Sequence, residues 1–166
     1  DSTNGLAFGS AYLFRFNGST WTQEAELFGS DSRSNDFFGS SVAVSGETVV
    51  VGAYLNDEKG TDSGAAYVFQ KTGSIWIQES KLLKPNGVTY DYFGYSVAAS
   101  GGRTIAGAYW DDTVRGADAG SASVFTETCP ASPASHPADT TTEFTLATDE
   151  ILTYAASFRQ ALAWPR

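Results

Sequence analysis

An all-β fold built of β-propeller blades, four antiparallel strands to a blade, is what the sequence predicts, on three observations. Two long stretches match at a fixed spacing of 55 residues, each repeat divides into short runs of strand-forming residues, and Gly-containing turns separate those runs. One such unit carries apolar side chains on both faces and buries them only against neighbouring units.

The repeat is read directly. Asp36, Phe38, Gly39, Ser41, Val42, Ala43, Ser45, Gly46, Gly52, Ala53 and Tyr54 return as Asp91, Phe93, Gly94, Ser96, Val97, Ala98, Ser100, Gly101, Gly107, Ala108 and Tyr109. The same offset carries Gly9, Tyr12, Phe14, Gly18, Trp21, Gln23 and Glu24 onto Gly64, Tyr67, Phe69, Gly73, Trp76, Gln78 and Glu79. A third copy of one element, Gly120, Ala122, Val124 and Phe125, arrives one residue late. The single insertion near Val114 or Arg115 marks 111–119 as a loop, since insertions are tolerated in loops.

In chain order, the first hairpin is signalled by Asn17-Gly18, two residues that tolerate positive φ. Ser40–Ser45 and Tyr95–Ser100 are short Val/Ala runs closed by Ser-Gly turns. Thr48–Tyr54 is a β-branched run ending in Gly-Ala, the pattern of a strand buried on both faces. Ala66–Lys71 alternates, turns through Thr72-Gly73-Ser74 and returns as Trp76–Leu83. The recurring aromatics Tyr12, Trp21, Phe38, Tyr67, Trp76 and Phe93 are expected to fill the wedge between blades.

The inventory is a half blade over 8–35, a blade over 36–90 and a partial blade over 91–126, within a blade region of 1–126. That is about two and a half blades, where a closed ring takes four to eight. The exposed blade faces therefore need further repeats of a longer parent chain, self-association, or another small β architecture to cover them. Residues 127–142, rich in Pro, Ala and Thr, read as a linker. Within 143–166, Glu143–Thr148 is a candidate closing strand, and Asp149–Trp164 has the spacing of a short amphipathic helix.

Composition narrows the function classes. The 166 residues carry 10 Lys+Arg against 19 Asp+Glu, a net charge of -9, with the basic residues scattered. Nucleic acid, which needs clustered cations, is a poor partner. No apolar run is long enough to insert in a membrane. Beginning at Asp1 without Met, the chain reads as an excerpt or a processed product. The one cysteine, Cys129, and the one histidine, His136, both fall in the linker, which removes most nucleophile–His–acid arrangements. Carboxylate pairs such as Glu24/Glu26 and Asp57/Glu58 lack a distinctive apolar pocket signal, so no catalytic residue, and no enzyme, is expected.

Phe-Gly at 38–39 and 93–94, followed by Gly-Ala at 52–53 and 107–108, resembles the FG-GAP repeat. This is the blade unit of the integrin alpha-subunit propeller and of secreted bacterial and algal proteins. The longer string, with Gly-x-Ala-Tyr-Val-Phe and Trp-x-Gln-Glu, is similar to the secreted microbial subtype, over about residues 8–126. The resemblance implies an extracellular or cell-surface scaffold for protein contact, adhesion or assembly. Two departures stand out. Tyr54 and Tyr109 replace the proline of Gly-Ala-Pro, and the Asp-x-Asp-x-Asp-Gly calcium loop of integrin repeats is missing before the Gly-Ala strand. No cofactor or metal is therefore carried over from the family.

The remaining candidates are local. The loops containing Asp57, Glu58 and Asp62, and Asp111, Asp112 and Asp118, are equivalent acidic clusters that suit either calcium or plain solvation, and solvation is the favoured reading. Asp36 and Asp91 are expected to hold their turns by side-chain to backbone hydrogen bonds. Asn17 lies in a glycosylation sequon, though its turn role already explains it. Trp110 follows Gly-Ala-Tyr where the other repeat has Leu55, so it breaks the repeat. Trp110 and Tyr109 are the candidate ligand-binding residues. The partners expected are a protein, or a second copy completing the propeller, with a glycan as the alternative in a lectin-like reading. A further alternative is a non-catalytic appendage of a larger secreted enzyme.

Overall fold

The computed structural model describes residues 8–126, which fold as nine strands in antiparallel sheets of two, four and three. β1 (Ala11–Phe16) pairs with β2 (Trp21–Leu27) as the first sheet. β3 (Ser41–Ser45), β4 (Thr48–Ala53), β5 (Ala65–Thr72) and β6 (Ile75–Leu82) form the second in sequential order. β7 (Phe93–Ser100), β8 (Arg103–Ala108) and β9 (Ser121–Thr126) form the third. The architecture is that of an incomplete propeller, as the repeat predicts. Cys129, His136, the linker, the closing strand and the helix lie outside the described residues.

The middle sheet is the reference blade because its two central strands, β4 and β5, are covered on both sides. On one side Val49, Val51, Tyr67 and Phe69 share a core with Ala11, Leu27 and Phe38, with Leu13 and Ala25 packed against it. On the other, Val50, Ala66 and Val68 share a core with Phe93, Ala106 and Ala108. Alternation along β4 and β5 thus sends successive side chains into two different cores, which is why Thr48–Ala53 is buried throughout. By contrast β8, with its sheet covered on one side only, alternates between exposed and buried.

Each Phe-Gly locks two blades together. Gly39 and Gly94 have φ of +92° and +83°, and a Cβ on them would lie 2.5 Å from the Ser10 carbonyl oxygen and 2.1 Å from that of Ala65. Only glycine meets both demands. The preceding phenylalanine bridges in parallel to the previous repeat, Phe38 to Gly9 and Phe93 to Gly64. The phenylalanine rings then drop into the cores between blades.

The wedge expectation is met by Phe38, Tyr67 and Phe93, which are buried, and by Trp76, which packs against the first core. It is corrected for Tyr12 and Trp21, which are largely exposed. The reason is positional: they project from the face of the first sheet opposite the one packed on the middle sheet. A second feature of this hairpin is a bulge between Leu13 and Phe14, repeated between Val68 and Phe69. The residue left without a partner is Glu24 in one copy and Glu79 in the other. The bulge sets Glu24 across the blade boundary, where Arg15, Lys71 and Trp76 Nε1 all donate to it.

Candidate functional site

Residues that precede the inner strand of a blade and residues that follow its second strand meet at one end of the sheets. Asp36 organises the first of these turns: its Oδ2 accepts from Arg33 N at 2.9 Å and from Asn56 Nδ2 at 2.8 Å. Asp91 does the same for Val88 N at 2.8 Å. Both carboxylates are buried, and the turns they hold place the next residue, Phe37 or Tyr92, in the left-handed region at φ 57° and 53°. For a bulky side chain that conformation is strained by about 1–2 kcal/mol. Hydrogen bonds hold it in place, Tyr92 N donating to Asp62 O and Tyr95 N to Tyr92 O, both at 3.1 Å.

The result is a continuous row of aromatic rings across two blades. Phe37 contacts Tyr54 edge-on at 5.6 Å, and Tyr54 contacts Tyr92 at 5.9 Å and Tyr95 at 5.3 Å. Tyr92 stacks on Tyr109 at 5.6 Å and meets Trp110 edge-on at 5.2 Å, while Tyr90 flanks it at 6.3 Å. Five of these rings, Phe37, Tyr90, Tyr95, Tyr109 and Trp110, are about half exposed. Such pairs prefer edge-on and offset geometry, so the rings stiffen one another while their outer faces stay available.

Tyr109 and Trp110, singled out by the sequence, are therefore exposed and in mutual contact at 5.3 Å. Sequence reasoning missed their companions Phe37, Tyr54, Tyr90, Tyr92 and Tyr95. A signal was there: an aromatic stands immediately before Phe-Gly in both copies, at positions 37 and 92.

Electrostatics frame the row with acid. Desolvation, then the neighbouring Asp57 charge, raises the Asp62 carboxyl above its usual range. Desolvation followed by the Asp62 charge raises the Tyr92 hydroxyl, which stays neutral. The acidic loops close on themselves, Asp57 Oδ1 accepting from Asp62 N at 2.8 Å and Asp112 Oδ1 from Asp118 N at 2.9 Å. Among the described residues no group of three or more His, Cys, Asp or Glu side chains is arranged to hold a metal ion.

Asp111 departs from the solvated-loop reading. It is buried, and its Oδ1 meets Lys84 Nζ at 2.6 Å as a charge contact without a directed hydrogen bond. Lys84 also lies 3.5 Å from Asp91 Oδ2. In the preceding repeat the same places are held by Asn56, Asp36 and Gly29.

Repeated, glycine-locked blades and a rigid aromatic loop end define a β-propeller interaction module. The FG-GAP repeat matches residues 21–69 and 76–125, more than half of the chain, and the chain belongs to this repeat family. A search of curated proteins gives no match.

Proposed function

We propose that the chain is an extracellular structural and interaction module that engages a protein partner, in adhesion or assembly, through the aromatic row at the loop end of its blades. The observation that carries this reading is the continuity of the row, with five half-exposed rings fixed by their neighbours. Tyr and Trp supply large contact area at little conformational cost and dominate binding hot spots. The strained turns beneath Phe37 and Tyr92 support the same reading, because backbone strain concentrates where a surface is held ready for a ligand. FG-GAP repeats occur in extracellular proteins and are generally non-catalytic, which supports the location and a binding rather than an enzymatic role. The net charge of -9 favours a partner with a basic rim over nucleic acid or an anionic membrane.

The test is adhesion of beads coated with the chain to the surface of source cells. The triple variant Phe37→Ala/Tyr95→Ala/Trp110→Ala, with unchanged circular dichroism, is expected to bind about tenfold more weakly. Equal binding by the two proteins removes the row from the account.

One observation favours a second reading. Tyr109 and Trp110 present adjacent half-exposed rings at the start of the acidic loop 111–119, an arrangement suited to stacking on a sugar ring. A glycan array showing a ligand lost in Trp110→Ala supports the lectin-like reading, and a blank array retires it.

A further inference from the structure

The outer faces of the first and third sheets stand exposed among the described residues, and the repeat itself shows what such faces meet. Moving one repeat forward from the middle blade, Val50, Ala66 and Val68 become Ile105, Ala122 and Val124. Val50 and Val68 are 0% and 3% exposed, whereas Ile105 and Val124 are 43% and 60%. Moving one repeat back, Phe69 and Trp76 become Phe14 and Trp21. Phe69 is 3% exposed, whereas Phe14 and Trp21 are 54% and 68%.

The two faces are complementary. The core that buries Phe69 contains Ala11, with Leu13 packed against it. The equivalents of Ala11 and Leu13 in the third blade are Ala122 and Val124. The third sheet thus carries the equivalents of two of the side chains that cover, inside the same chain, the face exposed on the first sheet.

We propose that the chain self-associates head to tail, the Ile105/Ala122/Val124 face of one copy packing on the Phe14/Trp21 face of the next. The contact is heterologous, and it extends the blade stacking already present between β1–β2, the middle sheet and β7–β9. A second copy is the occupant because its Ala122 and Val124 are the repeat equivalents of Ala11 and Leu13, the side chains that meet Phe69 and Trp76 inside the chain. The inference is independent of the aromatic row, which lies at the loop end rather than on the blade faces.

Light scattering on the purified full chain across a concentration series tests it. The expected mass exceeds the 17.6 kDa of one chain and rises with concentration. Phe14→Asp blocks one face and Val124→Asp the other, so each variant alone is expected to be monomeric. Mixed in equal amounts they are expected to give a dimer, since each keeps the face that the other lacks. Recovery on mixing also shows that both variants are folded. As a variant-free readout, amide exchange in β1 and β9 slows as concentration rises. A wild-type chain of single-chain mass throughout, variants that remain oligomeric, or a mixture that stays monomeric each overturns the proposal.

Discussion

Gly29 and Asn56 in one repeat become Lys84 and Asp111 in the next, and the two exchanges belong together. Asn56 donates to Asp36, so that pair needs only one charge. Asp111 cannot donate to Asp91 in the same way, and Lys84 is inserted between the two acids. Removing one member of a buried charge group leaves the rest uncompensated. Lys84→Ala is therefore expected to cost about 3 kcal/mol in urea unfolding. Adding Asp111→Asn is expected to recover most of that loss by restoring the arrangement of the earlier repeat. A double variant no more stable than the single one contradicts the coupling. This exchange was open to view in the aligned repeats, but burial decides its meaning, and burial is not written in residue type.

Glycine provides a second comparison. Gly94→Ala combines a left-handed φ with a Cβ against the Ala65 carbonyl and is expected to cost about 2 kcal/mol or more. Gly73→Ala has a left-handed φ of +63° but open space around its Cβ, and about 1 kcal/mol is expected. Equal losses contradict the blade-locking role of Phe-Gly. Glu24 supplies the pH dependence. Hydrogen bonds from Arg15 and then Lys71 depress its carboxyl to about 2. A depressed carboxyl stabilises the fold above the ordinary glutamate range, and that contribution is lost as pH falls toward 2. The stability gap between the wild type and Glu24→Gln is expected to be full near neutrality and to close in acid. A gap that is constant with pH contradicts the assignment.

The strands themselves differ in how plainly they were written. Asn17-Gly18 marked the first hairpin, where Asn17 Oδ1 accepts from Ser19 N and Thr20 N at 2.9 Å each. The run Thr48–Tyr54 announced a strand covered on both faces, and β4, which ends one residue earlier at Ala53, is one. The repeated bulge was not legible, because Glu24 and Glu79 continue the polar alternation of their strands and nothing local reveals the skipped pairing. Nor was the exposure of Trp21, since it matches Trp76 and differs only in what lies beside it. Tyr109 and Trp110 were found through a break in the repeat. Phe37 and Tyr92 keep to the repeat, and so read as packing. From this unequal cover, amide exchange is expected to be slowest in β4 and β5 and faster in β1 and β9 in dilute solution. Uniform protection across the strands contradicts the assignment of one two-sided blade between two one-sided ones.

Among the described residues two surfaces each hold an exposed tryptophan. Trp110 belongs to the aromatic row at the loop end, and Trp21 to the outer face of the first sheet. The deciding measurement replaces each in turn with a photoactivatable cross-linking residue and analyses the adducts formed in an extract of source cell surfaces. The expected adducts are a foreign protein at position 110 and a second copy of the chain at position 21. If position 110 captures nothing, or only what position 21 captures, the aromatic row is not the binding surface.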